Sequence, residues 1–420
     1  MEPAGAALTS AERSSRSPAI DPRQPIVAVM KQTILLVTTA VWSSAARLAG
    51  AFSGLGAQVE AVFPHGHALG VSRYLGRAHR YRPLSPLVSL ARAINAARSD
   101  RIIACDDRAL RLLLQLDGFA PVLEASLGPL ASYRVLMARA PAIAAARQEG
   151  ISAPLTVAVD SLNDLPEALQ AVGLPCVMKT DFSSGGDGVK FVGSATEAEQ
   201  TFVCLQGPPS RARSLARAVL RQDLHFLGEA LHPAKATVNL QALVPGKPAT
   251  SVFAAKDGRV LAALHWNVLS WHGDTGPASL MQRVADPAMD EAARKIAARF
   301  RLSGLQGLDF VRDASGEPHL IEVNPRATQI CHLPLDADLP AALLGVPGRT
   351  AATDLSQIAL FPQVVAMAEL PRSVYRDIPW DDPKVLRALS GPASSDASSL
   401  AGVIEFGRPG DHPRALRRHG

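Results

Sequence analysis

Through residues 33–125 short apolar runs alternate with segments of helical period. Thr33-Ile-Leu-Leu-Val-Thr38 is continuously apolar at its centre, the pattern of a strand covered on both faces. Residues 43–55 carry apolar positions at helical spacing and stop at Gly56. Residues 58–63 give a second strand, 86–98 a helix, 101–105 a third strand and 108–116 another helix. Such alternation predicts a parallel sheet covered by helices, an α/β domain. Further along, the order changes to strand, turn, strand. An apolar run at 176–179 precedes a glycine-rich turn, and strands at 251–255 and 259–266 flank Asp257-Gly258, a hairpin pair. Residues 287–300 have helical spacing. Strands at 308–312 and 319–323 enclose Asp313-Ala-Ser-Gly316. These later elements predict an α+β arrangement. Residues 266–275 read as a loop. With their neighbour they make His265, Trp271 and His272 candidates for substrate contact, although packing is the plainer role for the tryptophans.

The ends of the chain are patterned differently. Residues 1–30 are rich in Ala, Ser, Pro and Arg without sustained period, and read as a disordered tail. Met30-Lys-Gln-Thr resembles a natural start. From about residue 350 Pro-rich turns suggest a small C-terminal extension, mobile over residues 390–420. The expected division is 1–30, 31–127, 128–245, 246–345 and 346–420.

The chemistry concentrates in the hairpin at 305–326. Side chains on a strand alternate faces, so Glu322 and Asn324 point the same way, and Asp309 on the partner strand can lie beside them. Two carboxylates and an amide oxygen make a hard, all-oxygen set that suits Mg²⁺ (or Mn²⁺) and leaves positions for substrate phosphates. Arg326 follows as a planar fork for phosphate. A hairpin whose acids only aid solubility is the competing reading. It leaves unexplained why the second strand ends in Asn-Pro-Arg as its polar side chains leave the sheet.

Upstream, Lys179-Thr-Asp-Phe-Ser183-Ser184-Gly185-Gly186-Asp-Gly188 ends one strand and precedes another. Gly185, Gly186 and Gly188 allow positive φ and close backbone approach. Successive N–H groups in such a turn form an anion nest, to which Ser183 and Ser184 add hydroxyls and Lys179 a compact charge. The segment lacks the Gly-Lys-Ser/Thr of a phosphate loop that opens a helix, and it does not have the Gly-x-Gly-x-x-Gly dinucleotide spacing.

The Asp…Glu-x-Asn-Pro-Arg hairpin and this lysine-plus-glycine loop resemble the ATP-grasp superfamily, over about residues 33–345 and most strongly over 173–330. The resemblance implies an N-terminal α/β domain followed by a two-lobed ATP-grasp fold. ATP and Mg²⁺ would lie between lobes 128–245 and 246–345. By that resemblance Lys179 meets the α/β phosphates and residues 183–188 close over the triphosphate. Leu243 in Asn239-Leu-Gln241-Ala-Leu243-Val-Pro-Gly246 offers backbone bonds to adenine, with Gln241 nearby, and Arg134 or Arg139 reaches the phosphates. Many relatives carry an acid near the hinge where this chain has Gln241 and Lys247-Pro248. The implied activity is a ligase in which Arg326 and Lys179 stabilise transfer of phosphate from ATP to a small-molecule carboxylate, for attack by an amine or thiol. A non-catalytic ATP-binding scaffold or sensor is the alternative, followed by a biotin-carboxylase-like subunit.

Composition narrows the picture further. The chain has 420 residues, 47% hydrophobic and 19% charged, with a net charge of +5. That favours an anionic ligand without requiring nucleic acid. The basic stretches at 211–221 and 414–418 lack interleaved aromatics and read as solvated faces. The four cysteines show no zinc or disulfide spacing, which fits a reducing cytoplasm, and Cys105 and Cys176 read as core residues. No apolar run reaches the roughly 18 residues of a membrane span. Asp106 and Asp107 stand at a strand's carboxyl end, where open sheets bind ligands, or where Asp107 would cap the next helix. The partners expected are a carboxylate and an amine, with room for a homodimer.

Overall fold

The computed structural model describes residues 31–40, 42–181, 188–207, 236–271, 277–335, 337–349, 355–361, 364, 367 and 370–389. Fifteen strands within these residues form three sheets, all in the unit Gln32–Gly420. The first sheet contains β1 (Thr33–Val37), β2 (Gln58–Phe63), β3 (Arg77–Arg80) and β4 (Arg101–Ala104), in the order β3-β2-β1-β4. Every pairing is parallel, as the alternating pattern requires. β1 is central and buried on both faces: Ile34 through Val37 have no exposed surface. The helix Ser44–Gly54 stops where Gly56 takes a positive φ and its N–H bonds back to Ser53.

The second sheet contains β5 (Thr156–Val159), β6 (Cys176–Thr180), β7 (Val189–Val192) and β8 (Val238–Ala242), antiparallel in the order β5-β8-β6-β7. Its strands alternate faces. Cys176, Met178, Val192, Val238 and Leu240 pack on the helices Leu165–Val172 and Ala195–Gln206. On β6 and β8 the positions between them put Lys179, Asn239 and Gln241 on the other face. That is the face turned toward the third sheet, since Gln241 reaches the carbonyl of Ile321.

The third sheet is larger. It contains β9 (Lys247–Lys256), β10 (Arg259–Trp271), β11 (Ala278–Val284), β12 (Gly304–Arg312), β13 (Pro318–Asn324), β14 (Gln357–Leu360) and β15 (Tyr375–Asp377). The order is β13-β12-β9-β10-β11-β14-β15. Asp257 and Gly258 both take positive φ at the β9–β10 hairpin, as a two-residue turn requires. The helix Pro287–Phe300 occupies the expected span, with Asp286 as its cap. Gly246, between β8 and β9, passes so close to β12 that a Cβ would sit inside the carbonyl of Arg312.

Two expectations are corrected. The presumed loop at 266–275 is strand through Trp271, with a bulge between Val268 and Ser270. Trp266 is fully buried, so the pattern read as a loop belongs to a long half-buried strand. The residues after 350 are also more than an appendage. β14 and β15 extend the third sheet, and the helix Pro383–Leu389 packs on the turn Ala68–Val71. Arg47 ties this segment to the first helix through Asp377 at 2.9 Å and Asp381 at 2.8 Å. Residues 1–30 and 390–420, the two basic stretches and His272 lie outside the described residues. Among the described residues no helix is long and apolar enough to cross a membrane.

Candidate active site

The β12–β13 register places Asp309 directly opposite Glu322 and Gly307 opposite Asn324. A Cβ at Gly307 would lie 2.6 Å from Thr328 Cγ2, so glycine there lets the segment after Asn324 fold close over β12. Asn324 Nδ2 donates to Asp309 Oδ2 at 2.8 Å, and its Oδ1 accepts from Arg326 Nη2 at 3.1 Å. The three expected metal ligands therefore stand together. Burial and then the Glu322 charge push the Asp309 carboxyl up to about 6. Two crowded carboxylates of this kind favour a divalent cation between them. The donor set fits Mg²⁺. Among the described residues no cluster of three His, Cys, Asp or Glu side chains competes with it.

Three cations surround the hairpin. Lys179 is buried at the end of β6, and burial lowers its pKa to about 8. Its Nζ donates to Gln241 Oε1 at 2.8 Å. The side chain of Gln241 therefore faces the lysine, with its Nε2 donating to Thr156 Oγ1 and the carbonyl of Ile321. Of the two arginines left open by sequence, Arg134 is exposed, whereas Arg139 opens the helix Arg139–Gln148 and enters the site. Arg139 Nη1 meets Glu322 Oε2 at 2.7 Å, and its Nε donates to the carbonyl of Thr180 at 3.0 Å. Burial opposes its charge, but Glu322 and Asp181 outweigh burial and hold its pKa above the usual value. Arg326 forks onto Asp107, with Nε and Nη2 at 2.7 and 2.8 Å.

Asp107 was not anticipated in that role. Asp106, not Asp107, caps the helix Asp107–Leu113, accepting from Ala109 N–H at 2.8 Å. Asp106 also accepts from Thr39 N–H and Thr39 Oγ1, which leaves Asp107 to hold Arg326. The paired acids at a strand's carboxyl end were the available signal. A cleft open to solvent lies beside Arg139, Glu322 and Asn324. Its polar lining is Asp107, Arg139, Glu322 and Asn324, and Leu136, Met137, Ala142 and Ile143 form an apolar wall.

Gly188 takes a positive φ, and its carbonyl accepts from Thr180 N–H. Ser183, Ser184, Gly185 and Gly186 lie outside the described residues. Leu243 is half-buried in the connection between the second and third sheets. His265 is buried and bonded to Ser251 at 2.7 Å and Asp290 at 2.9 Å, which makes it part of the framework. Trp271 stands half-exposed at the end of β10. Cys105 and Cys176 are buried as expected.

Residues 225–329 match the family model described as ATP-grasp domain. Solved structures share the fold at low identity. The ADP complex of an N5-carboxyaminoimidazole ribonucleotide synthetase is 16% identical, with TM-score 0.55, over 76% of this chain and 79% of that one. A biotin carboxylase from Campylobacter jejuni is 12% identical, with TM-score 0.55, over 76% and 72%. An L-amino acid ligase from Bacillus licheniformis is 14% identical, with TM-score 0.54, over 77% of each chain. No curated protein matches the sequence. Residues 225–329 thus match the ATP-grasp domain, and most of the chain shares its fold with these solved structures.

Proposed function

We propose that this protein is an ATP-dependent ligase. Mg-ATP would bind between lobes 128–245 and 246–345, and a small-molecule carboxylate would be activated for attack by an amine. The observation that carries this reading is the convergence, at one hairpin, of Asp309, Glu322 and Asn324 with Arg139, while Lys179 is linked to the same hairpin through Gln241. Asp309, Glu322 and Asn324 would hold Mg²⁺, which supplies charge neutralisation on the transferring phosphoryl oxygens. Lys179 and Arg139 orient the phosphates, and Arg326, fixed by Asp107, supplies a stationary cation beside the acceptor. Phosphate then passes from ATP to the carboxylate, giving ADP and an acyl phosphate. The amine attacks the acyl carbon, forms the new bond and releases phosphate. No side-chain nucleophile is required. The neighbours named above bear on this only through their shared fold. Their names span a synthetase, a carboxylase and a ligase, so the acid and amine must come from experiment. Screening pairs of small acids and amines for stimulated ADP release tests the proposal, and ATP binding without stimulation by any pair would favour a scaffold or sensor.

The lysine gives a sharper check. Lys179→Ala should weaken ATP binding by about one to two decades, roughly 1.5–3 kcal/mol for a charge-assisted phosphate contact, and AMP binding by less. The ammonium holds its proton below about 8 and loses it above. ATP affinity of the parent protein should therefore fall as pH rises through that value, while the alanine variant stays flat. Calorimetry from slightly acidic to basic pH measures both. An equal loss for ATP and AMP would instead make Lys179 a fold residue.

A further inference from the structure

We infer that Gln241 is a positioning residue, whose side-chain amide fixes Lys179 for phosphate and couples it to the backbone of the metal-binding hairpin. The inference rests on the function proposed above, in which Lys179 meets the phosphates of ATP. Gln241 is 3% exposed, and both ends of its amide are engaged. Oε1 accepts from Lys179 Nζ at 2.8 Å, and Nε2 donates to Thr156 Oγ1 at 2.9 Å and to the Ile321 carbonyl at 3.2 Å. The orientation of the amide is fixed by its neighbours. Flipping it would set Nε2 against the lysine ammonium, donor against donor, and Oε1 against a carbonyl. The Thr156 hydroxyl donates to the Pro154 carbonyl, so it is available to accept from Gln241.

Two consequences follow from this geometry. A lysine has three N–H donors on a flexible stem, and one bond to Gln241 is enough to aim the others. The second anchor, Ile321, adjoins Glu322 on β13, so a displacement at Gln241 is felt at both the phosphate cation and the metal carboxylate. A neutral amide also suits the position chemically. A carboxylate there would hold the lysine equally well but cancel its charge and add to the crowding of Asp309 and Glu322.

The test is a double-mutant cycle read by calorimetry with ATP and AMP, each in Mg²⁺ buffer, on the full-length protein. Gln241→Leu should weaken ATP binding about tenfold, the worth of roughly one charge-assisted hydrogen bond, with a smaller loss for AMP. Combined with Lys179→Ala it should cost nothing beyond Lys179→Ala alone, because both changes remove the same contact. Thr156→Val should act in the same direction with a smaller loss, and it carries the same cycle if Gln241→Leu fails to fold. Equal losses for ATP and AMP, or losses that add in the double variant, would reduce Gln241 to a packing residue while leaving the proposed function intact. Failure of the parent protein to bind ATP at all would overturn the proposed function itself, and this inference with it.

Discussion

Glu322→Gln is expected to lower ADP formation by about 10²–10³-fold, comparable to the cost of removing one preorganised electrostatic group from an active site. Glutamine keeps the shape and one acceptor oxygen but not the charge that a divalent cation requires. The fold should survive. Glu322 sits on β13 with its side chain 28% exposed, and the ladder opposite Asp309 is made by backbone groups. The remaining oxygen can still accept from Arg139, so the buried guanidinium keeps a partner. Removing the neighbouring negative charge should also let the Asp309 carboxyl relax downward, since Glu322 contributes to raising it. The measurements are acid- and amine-stimulated ADP release and a melting curve on the same sample. A folded variant with the parent rate would remove the hairpin from the chemistry.

Much of this site was legible in the sequence because strand periodicity is strict. Once 308–312 and 319–323 are read as a hairpin, alternation alone puts Glu322 and Asn324 on one face and makes Asp309 their neighbour. The α/β start was legible for a similar reason, since β1 is apolar at every central position and can only be covered on both faces. What stayed hidden depends on contacts distant in sequence. Asp107 and Arg326 are 219 positions apart, and Lys179 and Gln241 are 62 apart. No local pattern distinguishes a paired Asp107 from a capping one. The strands β14 and β15, at one end of the third sheet, were missed because four- and three-residue strands among Pro-rich turns carry too little period to register.

Arg139→Gln should have two effects of opposite sign. As the structure stands, Arg139 Nη1 lies 2.7 Å from Glu322 Oε2, so one of the proposed metal ligands is already neutralised by a cation from the helix Arg139–Gln148. A divalent ion arriving alone must compete with that guanidinium for Glu322. Removing the guanidinium should therefore tighten Mn²⁺ binding in the absence of nucleotide. The gain should be modest, about three- to tenfold, because Glu322 is partly solvated and the pair is screened. ATP binding should weaken by about one to two decades, since the same guanidinium is needed on the phosphates. In the parent protein the two ligands should then assist each other. ATP draws Arg139 away from Glu322, and the freed carboxylate becomes available to the metal. By linkage the metal must raise ATP affinity by the factor that ATP raises metal affinity. Electron paramagnetic resonance titration of Mn²⁺ with and without ATP, on parent and variant, measures all four affinities. Weaker Mn²⁺ binding by the nucleotide-free variant would mean that Arg139 supports the carboxylates rather than competing with the metal for Glu322.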